Sequence, residues 1–232
     1  METKKIDSGS KVLNRLLETG YETDIITTVY GPSGTGKTTL CLLASIATVK
    51  QGKKVIYIDT EGGFSVNRLL QLCNDQSVLQ QIYVLKAMNF EEQIKEIAKL
   101  RSMINEKIGL VVIDTIGMLY RIELGRASKA IGETKAVNNE LSMQLLYLTE
   151  IARKHEIPVL LTNQVYSDFD ERDAVKMVGG ELLHYGSKCL IELKKFKTYR
   201  KAVLKKHRHI KEGAEILFTI AEHGFEEAVM NT

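Results

Sequence analysis

Several common frameworks are ruled out by what this sequence lacks. It has three cysteines, two prolines and no tryptophan among its 232 residues. Cys41, Cys73 and Cys189 are far apart, odd in number and without a Cys-x-x-Cys pair, so neither a disulfide framework nor a zinc site is indicated. Small buried thiols in a reducing compartment are expected instead. Pro32 and Pro158 stand alone, and no linker, low-complexity tract or internal repeat breaks the chain. One compact domain over residues 1–232 is therefore expected. No run of about 18 apolar residues occurs and no basic-then-apolar leader opens the chain, which argues against a membrane partner and for a cytoplasmic protein.

An excess of either sign of charge is also lacking, since the net value is only +3. Its distribution says more than its sum. Lys194, Lys195, Lys197, Arg200, Lys201, Lys205, Lys206, Arg208 and Lys211 follow one another with no Asp or Glu between Lys194 and Lys211. Such a patch attracts phosphates. It is equally what a lysine-blunted sheet edge looks like.

What is present is an alternation. Short Val/Ile-rich runs at Ile25–Tyr30, Lys54–Ile58, Ile82–Leu85, Leu110–Ile113 and Val159–Thr162 read as strands buried on both faces. Amphipathic stretches near Thr38–Lys50, Val66–Cys73, Phe90–Asn105 and Ala136–His155 read as helices, and Ser10–Leu17 as a short leading one. Strand–helix alternation predicts an α/β fold, a mostly parallel sheet with helices on both faces. Lys188–Lys195, Lys201–Arg208 and Glu215–Ile220 follow without helices between them and predict an antiparallel C-terminal extension.

The segment Gly31-Pro32-Ser33-Gly34-Thr35-Gly36-Lys37-Thr38 fits G-x-x-x-x-G-K-[ST] and sits between a strand and an apolar helix. Its glycines let backbone N–H groups turn inward toward phosphate oxygens, and the helix adds its positive end. Lys37 would neutralise the β and γ phosphates of ATP, the Thr38 hydroxyl would ligate magnesium, and Thr39 would reach the α-phosphate. Asp114, ending a hydrophobic strand, would complete the magnesium shell. Glu61 follows the strand Lys54–Ile58, at the edge where ligands of open parallel sheets sit, and is the candidate base that orients attacking water. Gln164 ends another strand and would sense the γ-phosphate.

These elements, in this order, resemble the RecA/RadA recombinase family. The likeness is carried by Ile6-Asp7-Ser8-Gly9-Ser10, Gly31–Thr38, Ile58-Asp59-Thr60-Glu61-Gly62, Val111–Asp114 with Leu119-Tyr120-Arg121, Leu161-Thr162-Asn163-Gln164-Val165 and Val178-Gly179-Gly180, and it runs over nearly the whole chain. About thirty residues precede the P-loop, too few for the extra N-terminal DNA-binding domain and polymerising linker of the full-length members. The chain thus looks like a core-only archaeal paralog of that family. The resemblance implies a RecA-like ATPase core with feeble Mg-dependent hydrolysis, a role in DNA damage repair and homologous recombination, and no full strand exchange.

The resemblance also implies DNA loops near Arg121–Lys135 and Tyr166–Glu181. They supply Arg121, Arg126 and Lys129, then Arg172 and Lys176, the second loop being diluted by Asp168, Asp170, Glu171 and Asp173. Lys195, Lys197, Arg200 and Lys201 offer a second DNA surface. Lys206 and Arg208, taken as alternate residues of one strand, would point together as trans fingers into a neighbouring subunit's ATP, as in KaiC and DnaB relatives. His207 and His209 would face the other way, with no acid spaced to make them metal ligands. Expected partners are single-stranded or branched DNA, a recombinase or junction-processing nuclease, and further copies of the chain. A KaiC-like signalling ATPase and an assembly mediator with incidental turnover stand as alternatives.

Overall fold

The structure, a computed structural model, describes residues 4–127, 132–167 and 175–228. Its centre is a nine-stranded sheet. In chain order the strands are β3 (Ile26–Tyr30), β4 (Lys54–Asp59), β5 (Ile82–Lys86), β6 (Ile108–Asp114), β7 (Val159–Asn163), β10 (Cys189–Lys195), β11 (Arg200–Lys206), β12 (Glu215–Ala221) and β13 (Gly224–Glu227). Their spatial order is β13-β12-β11-β10-β3-β7-β6-β4-β5. From β10 to β5 every pairing is parallel, and β11, β12 and β13 add an antiparallel meander. The expected α/β fold with an antiparallel extension is therefore the observed one.

Period-2 alternation splits the core into two layers. Ile56, Ile58, Val111, Ile113, Val159 and Leu161 face α4 (Phe90–Met103), α5 (Gly117–Ala127), α6 (Glu133–His155) and α7 (Gly180–Gly186). Val55, Tyr57, Leu110, Val112 and Leu160 face α1 (Lys11–Leu16), α2 (Lys37–Lys50) and α3 (Val66–Cys73). A strand buried on both faces must be apolar at every position, which is why these runs show no polar alternation. Each buried Val, Leu or Ile contributes about 1.5–3 kcal/mol.

The element boundaries differ from expectation at chemically informative places. The stretch after Tyr120 is helix to Ala127 and helix again from Glu133, so Arg121 and Arg126 stand on α5 and not on a loop. The second expected loop includes two short antiparallel strands, β8 (Val165–Ser167) and β9 (Val175–Met177), and the helix α7. Lys129, Arg172, Asp168, Asp170, Glu171 and Asp173 lie outside the described residues. A further pair of two-residue strands, β1 (Lys5–Ile6) and β2 (Tyr21–Glu22), flanks α1. Among the described residues no helix is long and apolar enough to cross a membrane.

Candidate nucleotide site

β3 ends at Tyr30 and the chain turns through Gly31–Gly36 into α2. Gly36 is the N-cap in a left-handed conformation (φ 101°) with no side chain bonded across the helix start. The first N–H groups of α2 are thus left unclaimed by a cap and face the turn, as an anion site needs. The Lys37 ammonium folds back to donate to the carbonyls of Gly31 (2.7 Å) and Pro32 (3.0 Å). Burial pulls it below the usual lysine range, and the Glu61 and Asp114 carboxylates partly offset that.

Parallel pairing of β4, β6 and β7 brings three strand ends to the same edge of the sheet. Asp114 accepts from the Thr38 hydroxyl (2.8 Å), from the Tyr57 phenol (2.8 Å) and from the Thr162 hydroxyl. These hard oxygens, Thr38 and Asp114, are the donor type that suits magnesium. Glu61 Oε1 accepts from Thr115 Oγ1 (2.7 Å) and from Gln164 Nε2 (2.8 Å). Thr115 is held in turn, its N–H donating to Thr60 Oγ1 (2.8 Å) while the Thr60 hydroxyl donates to the Thr115 carbonyl (2.7 Å). One step further along, the buried Gln93 amide donates to the Ile116 carbonyl (3.1 Å) and to Gln144 (2.8 Å), tying the turn to α4 and α6.

Ser33, Gly34, Gly36, Lys37, Thr38, Thr39, Glu61, Asp114, Thr115, Gln164 and Ile220 line one cleft of about 250 Å³. The structure therefore brings together the three expected acid and amide groups and the phosphate loop. Gly31, Pro32 and Thr35 shape the turn beneath it, where Thr35 donates to the Pro32 carbonyl (2.8 Å). Sequence reading missed Tyr57, Thr115 and Thr162, which serve the site only because neighbouring strands carry them there. It also missed the β12–β13 turn. Ile220 and Phe225 pack against Gly36, and Arg68 fixes that turn by donating to the carbonyls of Ala221 (2.9 Å) and Glu222 (2.9 Å).

Lys206 and Arg208 do not join this cleft. Leu190 at the start of β10 pairs with Lys206, whereas the far end of β10 adjoins the phosphate loop, so the two lie at the opposite edge of the sheet. β11 ends at Lys206, and the expected sharing of one strand face is corrected accordingly. The reason is His207, whose Nδ1 accepts the N–H groups of His209 and Ile210 (3.1 Å each) and turns the chain out of the sheet. Lys206 donates to the His184 carbonyl (2.6 Å), and Arg208 clamps Glu22 (2.6 Å) and Asp24 (2.5 Å). Both histidines also have an acid beside them after all: Glu22 Oε1 lies 3.7 Å from His207 and 3.9 Å from His209. Among the described residues no cluster of His, Cys, Asp or Glu has the geometry of a metal site.

The remaining expected DNA residues lie apart from the cleft. Arg121 and Arg126 are exposed on α5, Arg126 being 3.4 Å from Glu123. Lys176 is on β9. Lys195, Lys197, Arg200 and Lys201 sit on the β10–β11 hairpin, where Phe196 and Tyr199 stack at 4.7 Å. Acids just outside the run from Lys194 to Lys211 reach this patch. Glu192 lies 3.5 Å from Lys194 and 3.8 Å from Lys205, and Glu215 lies 2.9 Å from Lys201.

A phosphate loop, an acid on the next-but-one strand and a carboxylate–amide pair from the strands on either side of that acid, on a parallel sheet with this strand order, define a RecA-like core. The Rad51 family pattern matches residues 1–228, and the chain belongs to that family. It is 40% identical over 217 residues to the DNA repair and recombination protein RadB of Methanococcus maripaludis strain C7, covering 93% of this chain and 97% of that one. It is 39% identical over 229 residues to the protein of the same name from Methanoculleus marisnigri, covering 97% and 98%. A solved structure described as the RadB recombinase superposes with a TM-score of 0.81 at 36% identity, over 97% of this chain and all of that one.

Proposed function

We propose that the chain is an ATP-binding accessory protein of DNA repair and homologous recombination, with weak Mg-dependent ATPase activity. The observation that carries this reading is the convergence of Lys37, Thr38, Asp114, Glu61 and Gln164 on one cleft. The P-loop N–H groups and Lys37 would hold the phosphates, and Thr38 with Asp114 would hold magnesium. When bound, magnesium would neutralise charge on the β and γ phosphates. Glu61 would accept a proton from water, and Gln164, bonded to it, would report the state of the γ-phosphate to β8 and the segment beyond.

DNA contact is assigned to Arg121, Arg126, Lys129, Arg172 and Lys176 and to the β10–β11 hairpin with Lys197, Arg200 and Lys201. The Phe196–Tyr199 stack among those cations supports a single-stranded partner, because aromatic rings between phosphate-binding cations suit unpaired bases. The RadB names of the relatives support repair and recombination as the setting, and a recombinase or a junction-processing nuclease as protein partner. Lys206 and Arg208 remain candidate fingers for a neighbouring copy. In that role Arg208 must first leave Glu22 and Asp24.

The test is direct. The purified chain should bind MgATP, Lys37→Ala should abolish that binding, and single-stranded DNA should bind with affinity that falls steeply as salt rises. Autophosphorylation without DNA binding would overturn the assignment in favour of a signalling ATPase.

A further inference from the structure

We propose that Lys195 contacts the phosphates of the bound nucleotide from within the same chain, and is not one of the DNA contacts. The inference rests on the nucleotide-site reading above and adds a residue to it. Between Ile191 and Lys195, β10 pairs with β11 in unbroken register. Side chains therefore alternate strictly over this stretch. Ile191 and Leu193 are fully buried against the α2 layer. Lys195 is the next side chain on that face, the face that carries the phosphate loop. Lys194 lies on the opposite face with Glu192, 3.5 Å away.

The Lys195 ammonium accordingly comes down over the loop. It lies 3.3 Å from the position a Cβ on Gly34 would occupy. Gly34 lines the nucleotide cleft and has φ +73°, so the absence of a side chain there serves both the turn and the approach of the lysine. Among the described residues Lys195 has no hydrogen bond or ion pair, while Lys194, Lys201 and Lys205 of the same hairpin each have an acid nearby. Charge balance argues the same way. The ionisable groups lining the cleft are Lys37, Glu61 and Asp114, one cation against two carboxylates. A polyphosphate adds further negative charge, and a second ammonium at the rim offsets part of it.

The experiment is isothermal titration of the full chain with MgATP and MgADP, together with binding of a fluorescent oligothymidylate at saturating MgATP. Lys195→Ala is expected to weaken both nucleotides by roughly fivefold to tenfold and to flatten the salt dependence of their binding. Lys195→Arg should restore affinity to within about twofold, because it keeps the charge. Oligothymidylate affinity should change by less than about twofold. A control change of an exposed lysine on α4, Lys99→Ala, should leave the nucleotide constants alone. Nucleotide affinity in Lys195→Ala within about twofold of wild type would overturn the proposal, as would an equal loss in Lys99→Ala. A loss confined to oligothymidylate would return Lys195 to the DNA surface. If the wild-type chain itself bound no nucleotide, the nucleotide-site reading would fall and this proposal with it.

Discussion

Gln164 donates its Nε2 to Glu61 Oε1 across 2.8 Å, although 103 residues separate the two in sequence. Thr115 donates to the same oxygen at 2.7 Å. Two neutral donors orient the carboxylate through Oε1, which would leave Oε2 to receive a water. Glu61→Gln is therefore expected to lower kcat for ATP by roughly 100-fold or more, since an amide cannot accept the proton. MgATP affinity should stay within about threefold of wild type. Turnover at the wild-type rate in this variant, read by phosphate release, would remove Glu61 from the role of base.

Gln164 has a separable effect. If its amide reports the γ-phosphate, Gln164→Ala should abolish the difference between DNA affinity measured with ATP and with ADP. The nucleotide affinities themselves should change little, because the phosphate grip proposed for the loop and Lys37 is left intact. A variant that still distinguishes the two nucleotides in a DNA-binding titration would show that the signal runs elsewhere, for example through Thr115 and Gln93 to α4 and α6.

Asp114 offers a test of the metal. Its carboxylate is buried and takes three hydroxyl donors, from Thr38, Tyr57 and Thr162. Asp114→Asn removes the charge that a divalent ion needs while keeping the shape. ATP affinity in this variant should become nearly the same with magnesium and with EDTA. Thermal stability should also fall, by about 1–3 kcal/mol, because the amide cannot serve all three hydroxyl donors, two of them buried. Calorimetric titration in both buffers reads the first effect and denaturant melts read the second.

Arg208→Ala probes the other edge of the sheet. The Glu22 side chain is fully buried, and the guanidinium, one-third exposed, is its hydrogen-bonded cation at 2.6 Å. Removing the cation leaves a buried carboxylate with only the imidazoles of His207 and His209 near it. The loss should be about 2–3 kcal/mol, less than for a wholly buried pair because water reaches the guanidinium. Pairing the change with Glu22→Gln should recover part of it. If Arg208→Ala melts like wild type, the clamp contributes nothing, and a loss of ATPase activity that grows with protein concentration would then favour the trans role.

The sequence was most legible where local chemistry decides structure. Residues 31–38 announce their turn through glycine, lysine and threonine spacing, and the runs at residues 54–58 and 110–113 announce strands buried on both faces. Even the roles considered for Glu61, Asp114 and Gln164 followed from their places at strand ends. What the chain order hid was lateral. Tyr57 and Thr162 meet Asp114 only because β4 and β7 flank β6, and Arg208 meets Glu22 across 186 residues. Period-2 reasoning also failed at His207, where a side chain accepting two backbone N–H groups ended the strand that the pattern would have continued.

That same His207 makes stability depend on pH in a definite direction. Burial pushes its pKa below the ordinary 6.5, with Lys5, His209 and Arg208 acting in the same sense and Glu22 opposing. The folded protein thus holds the imidazole neutral, while the unfolded chain takes up a proton near 6.5. As pH falls through that value toward the lower folded pKa, the unfolded state binds more protons and stability declines; above it the contribution is fully present. His207→Asn keeps an acceptor oxygen for the His209 and Ile210 N–H groups but cannot titrate. Between about pH 7.5 and pH 5.5 the wild-type Tm should drop more than that of the variant. Equal drops would show that the imidazole is as easily protonated in the folded chain as in the unfolded one, and that Glu22 offsets its burial in full.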